Sequence, residues 1–329
     1  MNEKKPNDAR HFRAFPQLLL EGGAGNARQT LLAELLEAGA RRFRNGSCRD
    51  ISLDIRPDGR TGIRFGGEIL PASRLEHLAE GEFGEFDSVR ASLLKAVVFS
   101  SEAALIFPGE RRQVSVVLHF RDGECVSRET GPEPEAPELV LKYLPDGRFF
   151  GDGGYDRSEL RAHLKRLACL NAGLALTFGN EIFFDTDGTA ELFQEFFPHT
   201  PPEAVFTWRG RILEFSIARA GDGGPGEIRS FAGARETVDG GIHVDGFKKG
   251  MIDAFASSTG NFVPPETFFR GWNVVLAAHL DDPMFESGYR CRLGGDLEAQ
   301  FRRMTASALE RELRRDPDRF AWQTGKRRT

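Results

Sequence analysis

Asp239-Gly240-Gly241-Ile242-His243-Val244-Asp245-Gly246-Phe247 is the stretch on which the reading of the chain turns. Two adjacent glycines give the backbone the freedom a tight turn needs. A histidine stands two residues after the second of them, and Phe247-Lys248-Lys249-Gly250-Met251 reads as the start of a helix. Upstream, Ile228 to Ala232 is a strand-like run leading into the turn. Downstream, Pro264-Pro265 breaks the chain and Glu266 to Leu280 reads as a helix passing into a strand. Asp281-Asp282-Pro283-Met284-Phe285-Glu286-Ser287-Gly288-Tyr289-Arg290 closes the segment.

A chain of 329 residues exceeds what one ordinary core holds, so two domains are expected. With 40% hydrophobic and 28% charged residues it reads as globular. No stretch approaches the roughly 18 apolar residues of a membrane span; Leu18-Leu19-Leu20 runs at once into Glu21. Met1 to Phe12 carries charge but no apolar core of a secretory signal, which makes a cytoplasmic location the expectation. Cys48, Cys125, Cys169 and Cys291 lie far apart with no CxxC spacing, as buried reduced thiols would, and no zinc site is indicated. A net charge of -5 gives no global attraction to nucleic acid, so any DNA contact needs a local basic patch. The 28 phenylalanines, against three Trp and three Tyr, read as core filling.

From Gln29 to Arg44, Leu31, Leu32, Leu35, Leu36, Ala40 and Phe43 recur at helical spacing and Asn45-Gly46 stops the run. Ile51 to Ile55 alternates as a strand, Pro57-Asp58-Gly59 turns, and Thr61 to Phe65 returns. Arg74 to Gly84 is acidic and irregular, Ser88 to Phe99 is a second apolar helix, and Ala103 to Phe107 with Gln113 to Phe120 read as antiparallel strands. Gly131 to Pro137 is a Pro- and Glu-rich loop, and Leu139 to Asp146 the next strand. Arg157 to Leu170 is an amphipathic helix with Leu160, Leu164, Leu167 and Leu170 on one face. Phe197-Pro198-His199-Thr200-Pro201-Pro202 is the best linker. Beyond it come a hairpin from Val205 to Arg219, a glycine-rich loop from Gly221 to Gly226, and a last helix from Leu297 to Arg314 with a basic tail ending Lys326-Arg327-Arg328-Thr329.

The Gly-Gly-x-His turn, the helix and strand after it and the Asp-Pro-x-Phe at Asp282 to Phe285 resemble the transducer domain of DNA gyrase and topoisomerase IV B subunits. Leu167 to Gly173 is similar to that family's Leu-Ser-Phe-Leu-Asn-x-Gly, and Leu139 to Asp146 to its Phe-Trp-Pro-Ser strand end. Phe15 to Gly22 stands at its Arg-Pro-Gly-Met-Tyr-Ile-Gly segment, with about a dozen residues before it, too few for a long dimer-exchanging arm. The resemblance implies an α+β fold of two domains. Residues 1–200 would be a GHKL-type α/β sandwich of degenerate ATPase character and 201–315 a ribosomal S5 domain 2-like transducer domain, with 316–329 a basic tail.

In the family an acidic residue on the first helix activates water, and an Asn four residues on holds magnesium. The matching positions are Glu34 and Ala38, and an alanine methyl cannot ligate a hard cation, so no metal is expected. Glu34 is then a vestigial general base or a solvated helix glutamate. The family's Asp-x-Gly-x-Gly-x-Pro, whose Asp reads adenine, is matched by Phe65-Gly66-Gly67-Glu68-Ile69-Leu70-Pro71, which we align with Gly66 at the Asp position. The Gly-rich loop that cradles phosphate is replaced by Asp87 to Leu94, without glycine, and the ATP lid segment is shorter. Arg290 stands at the transducer lysine that reaches the γ-phosphate, or is an ordinary loop arginine. Each lost polar contact costs about 1–3 kcal/mol, so three cost roughly 3–9 kcal/mol, about 2 to 6 powers of ten in affinity.

The resemblance therefore implies no cofactor, with ATP and Mg only in an alternative where Glu37, Gly66, Gly67, Arg90 or Lys95 takes over the nucleotide. The chain ends before the family's Glu-Gly-Asp-Ser-Ala and Asp-x-Asp motifs, so by itself it is not expected to cleave DNA. Two functions follow: a non-hydrolysing binding or regulatory module linked to DNA topology, or a divergent ATPase subunit of a split type IIA topoisomerase. Expected partners are gyrase or topoisomerase subunits or a homologous chain. DNA is a further candidate, through Arg302, Arg303, Arg311, Arg314 and Arg315 of the last helix and the Lys326-Arg327-Arg328 tail. His243 is expected to fix its turn by donating to the backbone.

Overall fold

Leu31, Leu32, Leu35, Leu36 and Ala40, the apolar stripe of the first long helix, are all 3% exposed or less, and the sheet they cover organises the first half of the chain. In this computed structural model the described residues are 9–20, 24–67, 70–79, 88–109, 114–132, 137–221, 224–260, 264–286 and 290–324. The chain divides into two compact units, Met1–Thr186 and Asp187–Thr329.

The first unit runs α1 (Ala9–Ala14), α2 (Ala24–Arg44), β1 (Asp50–Ile55), β2 (Thr61–Gly66), α3 (Ala72–Glu76), α4 (Ser88–Val98), β3 (Ser100–Pro108), β4 (Ser115–Arg121), β5 (Glu124–Gly131), β6 (Glu138–Pro145), α5 (Gly147–Phe150), α6 (Arg157–Cys169), β7 (Ala175–Phe178) and β8 (Glu181–Phe183). Its eight strands order β5-β4-β3-β6-β2-β1-β7-β8, antiparallel except for the β1–β7 pair. Ile51, Leu53, Ile63, Phe65, Leu105, Leu118 and Leu141 alternate into the helix-covered face, as half-buried strands must. The helices pack so closely that a Cβ on Gly39 of α2 would stand 2.6 Å from both Ile51 and Phe65. Asp156 caps α6, its carboxylate accepting from the Ser158 and Glu159 N–H groups.

The second unit runs α7 (Thr189–Phe196), β9 (Phe206–Arg209), β10 (Leu213–Arg219), β11 (Gly226–Ala232), β12 (Arg235–Glu236), α8 (Ile242–Thr259), α9 (Pro265–Phe268), β13 (Trp272–Ala278), α10 (Glu298–Arg315) and α11 (Ala321–Thr324). Five strands order β12-β11-β13-β10-β9, with β13 parallel to β11 and antiparallel to β10. Every residue of the central β13 is buried. Leu213, Phe215 and Ile217 face the core under α8 and α10, whereas Glu214 and Ser216 face Thr189 of α7. Most of the phenylalanines are core: Phe215, Phe247, Phe268, Phe301 and Phe320 are each 2% exposed or less, with Phe268 and Phe320 against Trp272 and Phe215 against Phe247, although Phe15 and Phe184 are exposed.

The two-domain α+β architecture expected from the sequence is the one observed, with several local corrections. α8 begins at Ile242, not Phe247, because the paired glycines deliver the chain straight into its first turn. β5, β7, β8 and α7 had no counterpart in the sequence reading: β5 is a polar edge strand and β8 only three residues long, so neither shows a clean apolar alternation. Ala72–Glu76 is helical where an irregular acidic run was read, and 80–87 lie outside the described residues. The units divide ahead of the Pro-rich segment at 197–202, because α7 packs on β10 and β13 and so belongs to the second unit. Residues 316–324 are no solvated tail: Phe320 sits 5.4 Å from Trp272 and Trp322 4.5 Å from it, ring to ring. Of the four thiols, Cys48 and Cys169 are buried, but Cys125 and Cys291 are only half-buried.

Candidate functional site

Glu34 lies in the buried middle of α2 and is 8% exposed. Its Oε2 accepts from the Lys95 Nζ of α4 at 3.0 Å, and both side chains are largely shielded, at 10% and 15% exposure. Here the sequence named Lys95 as a stand-in ligand for nucleotide and Glu34 as a base. The structure brings the two together as an ion pair in which the ammonium occupies the carboxylate. Ala38, one helical turn on, is 1% exposed and offers only a methyl. Glu37 is half-buried on the same helix, as is Arg90 on α4.

Gly66 and Gly67 are not where a nucleotide would use them. A side chain at 66 would collide with the Asp50 carboxylate, which pairs with Arg64. Asp50 and Arg64 lie on the face of the sheet turned away from the helices. Gly67 has φ +119° and gives its N–H to the Pro137 carbonyl at 2.8 Å, so that donor is already committed. Counted back from Pro71 through the Asp-x-Gly-x-Gly-x-Pro spacing, the reader position is Phe65, not Gly66. The strand's alternation agrees: the Phe65 ring points under α2, is 1% exposed and meets Gly39. Spacing alone could have located it. Glu68 and Ile69 lie outside the described residues.

Ser88 to Leu94 continue as α4. The helix itself leaves only the N–H groups of its first turn, Ser88 to Ala91, unbonded, and no glycine is present to let the backbone approach a phosphate closely as the family's loop does. The residues present therefore do not fit a magnesium nucleotide: the position that would ligate the cation carries a methyl, and the position that would read the base carries a phenyl ring. Among the described residues no group of three or more His, Cys, Asp and Glu side chains is placed to hold a metal ion.

In the second unit the glycine turn has a clear cause. Gly240 and Gly241 have φ +69° and +130°, and a Cβ on Gly241 would collide with the Leu293 backbone, which bonds to both sides of the turn. Arg292 fastens the same corner through the Asp239 carbonyl at 2.9 Å and the Asp245 and Glu286 carboxylates at 3.0 Å each. His243 is fully buried, and its Nε2 meets the Thr237 hydroxyl at 3.1 Å, a side-chain partner where a backbone one was expected. Burial, with the Arg292 charge adding to it, holds its pKa down at about 3. It is therefore neutral at physiological pH and structural. Arg290 stands in this unit with an unusual left-handed backbone, φ +54°, and is half-buried.

The lowered His243 value has a sign. An unfolded chain takes up the proton near 6.5 while the folded one resists until about 3. The stability is therefore full above about 6.5 and declines as pH falls below it. The urea midpoint of the second unit, followed by tryptophan fluorescence, should drop between pH 6.5 and 5, and the drop should shrink in His243→Gln. Glu214 adds to acid lability only lower down. Burial pushes its carboxyl up, but His279, the Thr189 N–H and Arg209 outweigh that and leave it below the usual range.

Of the five arginines named on the last helix, Arg302, Arg314 and Arg315 have a carboxylate neighbour, and Arg311 donates to the Ser307 carbonyl. Arg302 binds Asp253 at 2.6 Å, Arg315 binds Glu312 at 3.3 Å and Arg314 lies 3.8 Å from Glu310. Lys326-Arg327-Arg328 lies outside the described residues. Among the described residues no helix is long and apolar enough to cross a membrane.

This pair of units, an eight-stranded sheet under helices followed by a five-stranded mixed sheet, is the architecture of the ATPase region of gyrase B. The Myxococcus xanthus gyrase B-subunit structure matches with a TM-score of 0.76 and 20% identity over 97% of this chain and 99% of that one. The 43K ATPase domain of Thermus thermophilus gyrase B, solved with an aminocoumarin, matches with a TM-score of 0.76 and 19% identity over 96% and 93%. In sequence, the DNA gyrase B protein of Synechocystis is 24% identical over 76% of this chain and 27% of its own length. The topoisomerase IV B protein of Borreliella burgdorferi is 26% identical over 53% and 29%, and that of Mycoplasma capricolum 30% over 63% and 35%. The chain thus matches little more than a third of those relatives' length at most. No protein-family model matches it. The chain is similar in sequence to the B subunits of DNA gyrase and topoisomerase IV and shares the fold of the gyrase B structures.

Proposed function

We propose that this chain is a pseudo-ATPase: a gyrase B-like module that neither binds magnesium nucleotide nor hydrolyses it and acts by binding, as a regulator linked to DNA topology. The observation that carries the reading is the 3.0 Å pair between Lys95 and Glu34. A carboxylate that must orient and deprotonate water needs its lone pairs free. Here an ammonium holds one oxygen, beside the alanine that stands where the cation ligand would be. Phe65 supports it by filling with hydrocarbon the position that would read the base. The partners that fit are gyrase or topoisomerase IV subunits or a second gyrase B-like chain, since the relatives are themselves subunits of such assemblies. DNA contact through α10 is the weaker choice, because three of its five candidate arginines, Arg302, Arg314 and Arg315, already have carboxylate neighbours.

Turnover decides between this and a divergent ATPase serving a type IIA topoisomerase. Purified protein with excess ATP and Mg²⁺, alone and with gyrase subunits, should release phosphate at the rate of the Glu34→Gln variant. Turnover that Glu34→Gln abolishes would establish the ATPase instead.

A further inference from the structure

The face of the first sheet opposite its helices carries a groove of about 490 Å³, within the range of small-molecule sites. Cross-strand register explains it. Gly62, Lys142 and Ala104 are direct neighbours on β2, β6 and β3, so one lysine rises from a floor whose flanking positions have almost no side chain. Nothing lies within 4 Å of where a Gly62 Cβ would be. Two β-bulges border the groove. One shifts the β3–β6 register between Ser100 and Glu102, and the other, on the β4–β5 pair, passes over Val126, which stands 57% exposed. Bulges re-aim side chains, and here Glu102 and Val126 both line the groove.

Its charge is opposite to the chain's. Arg56, Arg60, Arg121 and Lys142 stand against Asp54 and Glu102 in the lining, two more cations than carboxylates, in a protein of net charge -5. Arg60 is held by Glu102 at 3.1 Å and Arg56 lies 3.8 Å from Asp54, which uses both carboxylates. Arg121 and Lys142 have no carboxylate partner among the described residues. They project from strands two apart and are staggered by two residues, roughly 12 Å between their backbones. Leu144 and Val126 add apolar wall.

We propose that this groove is a ligand site for a small organic anion, a phosphate or carboxylate head between Lys142 and Arg121 with a compact apolar body against Leu144 and Val126. It is independent of the Glu34 side of the sheet and of the pseudo-ATPase reading. Phenyl phosphate and benzoate are the probes, with inorganic phosphate and benzyl alcohol as head-only and body-only controls, followed by calorimetry and by chemical-shift changes. At least one of the two anions should bind with sub-millimolar Kd, and at least tenfold more tightly than either control. Lys142→Met should weaken it at least tenfold, Gly62→Val should abolish it by filling the trough, and Glu34→Gln should leave it unchanged. Lys142 is exposed, so its variant keeps the fold. Absence of binding by both anions, equal binding of benzyl alcohol, or indifference to Lys142→Met would overturn the assignment.

Discussion

Gly250→Val is expected to destabilise the second unit by at least about 3 kcal/mol. α8 and α10 cross at Gly246 and Gly250, one turn apart, with no side chain between the backbones. A Cβ on Gly246 would stand 2.6 Å from the Glu298 carbonyl oxygen; one on Gly250 would collide with the Arg302 carbonyl and meet the Thr305 Cβ at 2.8 Å. Backbone cannot rotate out of the way as a side chain can. The helices must part, and Phe247, Met251, Phe301 and Leu309, each 0% exposed, lose packing along the seam. Overpacking a core costs typically about 1–3 kcal/mol where side chains can shift, and more where they cannot. Trp208, Trp272 and Trp322, the chain's three tryptophans, all lie in this unit, so urea unfolding followed by their fluorescence reads it alone. A midpoint unchanged within about 0.5 kcal/mol would contradict the helix crossing.

Lys95→Met is the second large effect, about 3 kcal/mol in the first unit, because it takes the ammonium from a shielded ion pair and leaves the Glu34 carboxylate with less compensating charge. Rescue should follow from the same cause. Glu34→Gln combined with Lys95→Met removes both charges, and its stability should return to within about 1 kcal/mol of the parent. Scanning calorimetry measures all three variants. Strictly additive losses would show that the two side chains do not act as a pair, and would return Glu34 to the list of available bases.

The sequence made the scaffold legible because the strongest signals are periodic. The leucine stripe of α2, the alternation of β1, β2 and β6, and the amphipathic α6 all lie within a residue or a few of where periodicity puts them. Illegible elements were those whose stability comes from elsewhere. β5 is polar because it is an edge, and α7 is held by Glu214 reaching across from β10 to its first N–H at 2.7 Å. Phe320 and Trp322 follow a run of charge that looks like a tail, yet three-dimensional contact makes them core. The site shows the same division. Ala38 could be read by position, since a methyl has one chemistry wherever it stands. That Lys95 answers Glu34 across two helices could not, because 61 residues separate them.

The pseudo-ATPase reading turns on whether the helix-covered face of the first sheet still accepts a magnesium nucleotide. Calorimetric titration of the protein with a non-hydrolysable ATP analogue, with and without Mg²⁺, tests this most directly. No magnesium-dependent heat is expected, with an affinity weaker than about 1 mM. A sub-millimolar Kd that requires Mg²⁺ and is lost in Glu34→Gln would contradict it.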